Sequence, residues 1–138
     1  MEPGRIEFVH RSWPADPEQL ARIRHQLADW LGPLELTDAE IIDVVLAVDE
    51  AVSNSVRHAY GPEEQGRVEL TLWTEQDAGR TSLYIEVADH GHWRTPADTP
   101  ALGSGHGIPI MNTTSDAVLI RFGDRGSRVL LRHHLPAG

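Results

Sequence analysis

Three short clusters of polar and glycine residues have the types and spacing that chemistry requires. The first lies in AVDEAVSNSVRHAY, residues 47–60, where Glu50, Asn54 and His58 recur every four residues. On a helix, side chains at that spacing project from one face. The row is either a solvated polar face or a site. In a site, the Asn54 amide oxygen would ligate magnesium, and Glu50 would accept a proton from a nucleophile that attacks a phosphoryl group.

The second cluster is Val-Ala-Asp-His-Gly, residues 87–91, in which an acidic residue ends an apolar run. The Asp89 carboxylate can accept a hydrogen bond from the amino group of adenine. Gly91 would let the backbone approach the ring because it has no side chain. An ordinary turn is the alternative, since aspartate and glycine are common in turns for conformational reasons.

The third cluster is GSGHGIPIM, residues 103–111, in which glycines lead into a predicted helix. Glycines at that point free backbone amides to face a phosphate, and the helix dipole adds a positive end. A flexible hinge is the alternative. The segment has neither the lysine nor the spacing of a Walker P-loop, which disfavours that class of nucleotide site.

Composition excludes several other chemistries. The chain of 138 residues has no cysteine, which excludes disulfides, thiolate metal sites and cysteine nucleophiles. Its eight histidines form no zincin motif, with His90 and His92 the best pair, and there is no G-x-S-x-G elbow. The net charge of -9 argues against direct nucleic-acid binding. The absence of a long apolar run predicts no membrane association, and we expect a cytoplasmic protein.

Helix signals are strong in the first half of the chain. Asp16 followed by Pro17 predicts the start of one helix, which ends at Gly32-Pro33. Thr37 and Glu40 form a capping box for a second helix, which runs to about Ala59. Its apolar stripe comprises Ile41, Val44, Val45, Val48, Val52 and Val56, and the row of Glu50, Asn54 and His58 should lie roughly opposite.

The remaining segments alternate in the manner of strands. Residues 6–12 predict a first strand, and residues 68–72 and 83–87 predict a hairpin that turns at Ala78-Gly79. A closing hairpin spans residues 118–131 with its turn at 123–126. Between the hairpins we expect a functional lid over residues 90–105 and a short helix over 106–115. The order predicts one α+β domain, residues 1–138: a two-layer sandwich with helices packed on one face of a mixed sheet.

Taken together and in this order, the three clusters resemble the GHKL ATPases. AVDEAVSNSVRHAY looks like the N-box of the anti-sigma-factor serine/threonine kinases, Asp89-His90-Gly91 like the first glycine box, and GHGIPIMN like the second. The residues Gly126-Ser127-Arg128-Val129 resemble the Gly-Thr that opens the last strand of that family. The match covers nearly the whole chain and implies the Bergerat ATP-binding fold.

The resemblance implies a role for each matching residue. Glu50 would be the general base, Asn54 the magnesium ligand and Asp89 the reader of adenine. Further contacts to ATP would come from Gly91, Gly105, His106, Gly107, Ile108 and Ser127. The implied partners are an anti-anti-sigma protein, phosphorylated on serine or threonine, and a sigma factor held by a homodimer of the kinase.

Trp93 stands where the first glycine box normally has a second glycine, as in a divergent branch of these kinases. The main alternative to a kinase is a binding module that keeps the fold and a partner surface but transfers no phosphate, as an independent protein or as a domain of a larger phosphatase or kinase regulator. Simple ATP hydrolysis is a further alternative. A sensor histidine kinase is disfavoured, because no helical pair with a phosphoacceptor histidine fits before Thr37.

Overall fold

Two helices and five strands make up the part of the chain that the structure, a computed structural model, describes: residues 8–60, 65–91 and 114–135. The helices are α1 (Leu20–Leu31) and α2 (Asp38–His58), each preceded by a 3-10 turn, Pro17–Gln19 and Gly32–Leu34. The strands are β1 (Val9–Pro14), β2 (Arg67–Asp77), β3 (Arg80–Asp89), β4 (Ala117–Gly123) and β5 (Gly126–His134).

The five strands form one sheet in the order β1-β2-β3-β5-β4. Every pair in it is antiparallel, so the predicted mixed sheet is corrected to an antiparallel one, whereas the α+β class is confirmed. The reason lies in the connection between β1 and β2. Two helices carry the chain out and back, so β2 begins where β1 ends, and Arg67 pairs with Pro14. A single crossover helix would have made that pair parallel.

Both helices pack on the same face of the sheet, as predicted. Alternate residues of the three central strands point to this face and are almost fully buried: Val68, Leu70, Leu72, Leu83, Ile85, Val87, Val129 and Leu131. The helices cover them with Ile23, Leu27 and Leu31 from α1 and with Val44, Val48 and Val52 from α2. The core therefore lies between one sheet face and one pair of helices.

Local signals set the ends of these elements. The capping box of Thr37 and Glu40 is complete, so the predicted start of α2 is confirmed. The Asp16 side chain accepts from the Glu18 amide, but it caps the 3-10 turn Pro17–Gln19, and α1 itself begins three residues later than predicted, at Leu20. The turn at Ala78-Gly79 has positive φ at both residues, 53° and 79°, which is the type I′ geometry that suits a two-residue hairpin. The turn predicted at 123–126 is also confirmed.

Two predictions differ from the structure or fall outside it. The first strand runs to Pro14 instead of ending at residue 12, because β1 is an edge strand, where proline is tolerated. The predicted lid and the helix over 106–115 lie outside the described residues, except at their ends. Within the described ranges, no helix is both long enough and apolar enough to span a membrane.

Candidate functional site

Asp89, the last residue of β3, lies at the centre of a buried hydrogen-bond cluster. Only 2% of its surface is exposed. Its Oδ2 accepts from the hydroxyls of Ser55 on α2 and Ser127 on β5, each at 2.7 Å. Its Oδ1 accepts from the Ser127 amide at 3.1 Å and the Gly91 amide at 3.3 Å. The carboxylate thus joins the helix layer to two neighbouring strands.

This environment is unlike that of a turn aspartate, which is ordinarily exposed and bonded to its own segment. Two of the four donors are hydroxyls, and a hydroxyl can rotate to accept a bond instead of donating one. A ligand amino group could therefore reach Oδ2 while a serine hydroxyl turns aside. The other two donors are backbone amides, which hold Oδ1 in a fixed position.

Two glycines are required by the close packing around Asp89. A Cβ atom on Gly91 would lie 1.9 Å from the carbonyl oxygen of Ala59, which follows α2. A Cβ atom on Gly126 would lie 1.9 Å from the carbonyl oxygen of Asp89, and Gly126 also has a φ of 131°, which side chains disfavour. Any larger residue at either position would displace the end of β3 from the neighbouring element.

The helix α2, which carries Glu50 and Asn54, contributes Ser55 to this cluster. Asn54 directly precedes Ser55, whose hydroxyl contacts Asp89. The side chains of Ala47, Ala51 and Ser55 form a fully buried row of small residues, which lets the helix backbone approach the sheet.

The polar row on α2 is not a solvated face. Glu50, Asn54 and His58 are all half-buried, whereas the exposed face of the helix carries Ile42 and Leu46. The row borders the core next to the small residues, on the other side of the helix from Val45 and Val56. Burial, followed by the charge of Arg57, lowers the pKa of His58.

A cavity of about 740 Å³ opens beside Asp89. Its described lining consists of Asp89, His90 and the β4–β5 hairpin from Arg121 to Arg128. This volume is within the range of pockets that hold small ligands. Within residues 8–60, 65–91 and 114–135, no three histidine or acidic side chains are arranged to hold a metal ion.

The predicted site residues thus fall into three groups. Asp89, Gly91 and Ser127 are in contact, and Glu50 and Asn54 lie on the helix that packs against them. The second glycine box, with Gly105, His106, Gly107 and Ile108, lies outside the described residues, as does Trp93. Ser55 was not predicted as a site residue. It follows Asn54 directly and lies four residues after Ala51, a spacing that places this serine on the same helix face as the small residue.

Comparison with known proteins places the chain in a class. Residues 13–133 match the family model of the histidine kinase-like ATPase domain. In fold, the chain is similar to part of the structure of the RsbU and RsbW domains of Rv1364c from Mycobacterium tuberculosis, with a TM-score of 0.73 at 23% identity, over 96% of this chain and 34% of that one. The protein therefore belongs to the histidine kinase-like ATPase domain family.

The curated relatives define the branch of that family. The chain is 31% identical to an anti-sigma F factor of Clostridium novyi, over 95% of its own length and 93% of the relative's. It is 33% identical to the serine-protein kinase RsbW of Bacillus subtilis over 64% of its length, and that alignment spans about half of the relative (52%). Within the family, the chain therefore belongs with the anti-sigma F factors.

Proposed function

We propose that this protein is an ATP-dependent serine/threonine kinase that acts as an anti-sigma factor, phosphorylating an anti-anti-sigma protein and sequestering a sigma factor. The family assignment supports the kinase class. The observation that carries the proposal to this chain is the Asp89 cluster, which joins the helix bearing Glu50 and Asn54 to the strand end expected to read the nucleotide base.

ATP would bind with its adenine against Asp89 and its phosphates toward α2. The adenine amino group would donate to Oδ2, with Ser127 beside it and Gly91 next to the ring. Gly105, His106, Gly107 and Ile108 would complete the site at the phosphates. Glu50 would accept the proton of the partner's serine or threonine hydroxyl as that oxygen attacks the γ-phosphate.

The residues present suit a magnesium ion shared with the nucleotide better than a separate metal centre. Magnesium in phosphoryl-transfer sites is held by one or two protein oxygens together with substrate phosphates and water. The Asn54 amide oxygen supplies such a ligand, in keeping with the absence of a three-residue metal cluster among the described residues. A bound magnesium ion would neutralise charge on the transferring phosphoryl group.

The partners follow from the proposed activity. An anti-anti-sigma protein would supply the phosphorylated hydroxyl, a sigma factor would be the sequestered protein, and a homodimer would be the binding form. These partners act on transcription inside the cell, so the proposed location is the cytoplasm.

Nucleotide titration followed by phosphotransfer tests the proposal. ATP should bind more tightly with magnesium than without, and labelled γ-phosphate should appear on a serine or threonine of the anti-anti-sigma partner. Asn54→Ala should lose the magnesium-dependent part of the affinity, since alanine has no oxygen ligand. Ser53→Ala, one residue away on α2, is the matched control. A partner that is bound but never phosphorylated would favour the binding-module alternative.

A further inference from the structure

Tyr60 is a part of the N-box segment to which the proposed chemistry gives no role. It lies two residues beyond the end of α2. Its hydroxyl donates to the carbonyl oxygen of Arg67, at the start of β2, at 2.7 Å. The same hydroxyl accepts from the backbone amide of His90 at 2.9 Å. One phenol oxygen therefore connects β2 to the residue that follows Asp89.

The Tyr60 ring is held in place by a second close contact. A Cβ atom on Gly66 would lie 2.2 Å from the ring carbons, so only glycine allows the ring to sit there. The adjacent residue, Ala59, makes the equally close approach to Gly91 described above. The two residues after α2 thus contact two consecutive residues of the Asp89-His90-Gly91 segment, Tyr60 at His90 and Ala59 at Gly91.

The contacts of Tyr60 and Ala59 with His90 and Gly91 lie next to the proposed nucleotide site. The His90 amide belongs to the peptide unit that follows the Asp89 Cα, so fixing its nitrogen fixes the backbone from which the carboxylate projects. The helix that carries Glu50 and Asn54 ends at His58, two residues before Tyr60. The base-reading end and the phosphate end of the proposed site would then be held at one separation by the tyrosine.

We propose that Tyr60 is a positioning residue for nucleotide binding, which acts through the His90 amide on the Asp89 carboxylate. The inference rests on the proposed ATP-binding function. Tyr60 does not touch the reacting groups, so its hydroxyl sets affinity and base selectivity, and the phosphotransfer rate at saturating ATP does not depend on it. The contact of the His90 imidazole with Glu69 is a second anchor, which limits the effect of losing the first.

The test is Tyr60→Phe, which keeps the ring on Gly66 and removes only the hydroxyl. The Kd for ATP should rise by about 3- to 10-fold, as expected for one lost hydrogen-bond network, while kcat at saturating ATP stays within about twofold. The preference for ATP over GTP should fall by a similar factor, because a displaced Asp89 carboxylate discriminates less well between the two bases. A purely structural role would lower the melting temperature and leave this preference unchanged.

Tyr84→Phe is the matched control. Tyr84 lies on the same strand as Asp89 but stacks on Trp73, with ring centroids 5.4 Å apart, on the sheet face away from the helices. The Kd of Tyr84→Phe for ATP should equal that of the unmodified protein. All three proteins are compared well below their melting temperatures. Equal ATP affinity and selectivity in Tyr60→Phe and the unmodified protein would overturn the positioning role of Tyr60 and leave the proposed function standing. Failure of the unmodified protein to bind ATP would overturn both.

Discussion

At the scale of single residues, the proposed role of Asp89 gives the most specific prediction, because a carboxylate that binds the amino group of adenine must discriminate between bases. Guanine presents a carbonyl oxygen where adenine has an amino group, so two acceptors would face each other. Such a buried mismatch costs roughly 1 to 3 kcal/mol, or about one to two powers of ten in affinity. ATP should therefore bind more tightly than GTP, as measured by competition against a fluorescent ATP analogue.

Asp89→Asn tests the same claim from the protein's side. The new amide group can donate to the guanine carbonyl, so the preference for ATP should shrink. The variant should still fold, since the hydroxyls of Ser55 and Ser127 can rotate to accept from the amide. Asp89→Ala is the contrasting variant: it leaves four donors without an acceptor and should cost about 3 kcal/mol or more in the free energy of unfolding. Equal ATP and GTP affinity in the unmodified protein would return Asp89 to a structural role.

The proposed role of Glu50 as general base gives a prediction about the phosphotransfer step. A general base acts on the attacking hydroxyl and not on the nucleotide, so Glu50→Ala should abolish phosphotransfer and leave ATP affinity within a few fold. Glu50→Gln should behave in the same way, because the amide keeps the shape of the side chain but cannot take the proton. Phosphate transfer is measured with labelled ATP and affinity by titration. Parallel losses of both quantities would remove Glu50 from the role of base.

At the scale of elements, the turn of the β2–β3 hairpin places its first residue, Ala78, in a backbone conformation that alanine disfavours. Ala78 has a φ of 53°, a conformation that asparagine adopts more readily than alanine. Ala78→Asn creates the Asn-Gly pair that type I′ turns prefer and should raise the free energy of unfolding by about 0.5 to 1 kcal/mol. Urea denaturation measures the change.

Gly79→Ala is the opposing variant for that turn. Gly79 has a φ of 79°, and a Cβ atom there would meet no other atom within 4 Å, so any loss of stability is conformational. It should lower the free energy of unfolding by about 1 kcal/mol. If both variants shift stability in the same direction, the turn is not of the type described.

At the scale of the whole molecule, buried histidines couple folding to pH. His133, on β5, is 7% exposed. Burial lowers its pKa, and the nearby carboxylates of Asp116 and Asp43 oppose that shift only in part. The folded pKa thus lies below the unfolded value of 6.5. The contribution of neutral His133 to stability is fully present above the unfolded pKa. It is lost as the pH falls toward the folded pKa, because the unfolded chain binds the proton first.

The free energy of unfolding should therefore decrease between roughly pH 7 and pH 5. His133→Gln should reduce this slope, since glutamine does not titrate. The remaining slope includes His58, whose pKa is lowered too. His25→Gln is the control, because His25 is exposed on α1. Urea unfolding at several pH values measures the slopes, and an identical slope in His133→Gln and the unmodified protein would contradict the assignment.

Much of the fold could be predicted from the sequence because its signals are local. The capping box of Thr37 and Glu40 fixes the start of α2 within one turn, and Gly79, which adopts a positive φ readily, marks the turn of the β2–β3 hairpin. Within the described part, the residues of the candidate site could also be selected from the sequence, since Glu50, Asn54, Asp89 and Gly91 each stand in a short motif. These features depend on residues a few positions apart, whose relative geometry the helix or turn itself imposes.

Only the tertiary structure decided which distant residues meet. Ser55 and Ser127 reach Asp89 from 34 and 38 residues away, and Tyr60 reaches the His90 amide from 30 residues away. The antiparallel pairing of β1 with β2 likewise depends on the two helices that return the chain to the same end of the sheet. Periodicity and capping place each element along the chain, but neither specifies the path of the chain between elements. Close packing of α2 on the sheet, made possible by small residues at Ala47, Ala51 and Ser55, brings the separate motifs to a single carboxylate.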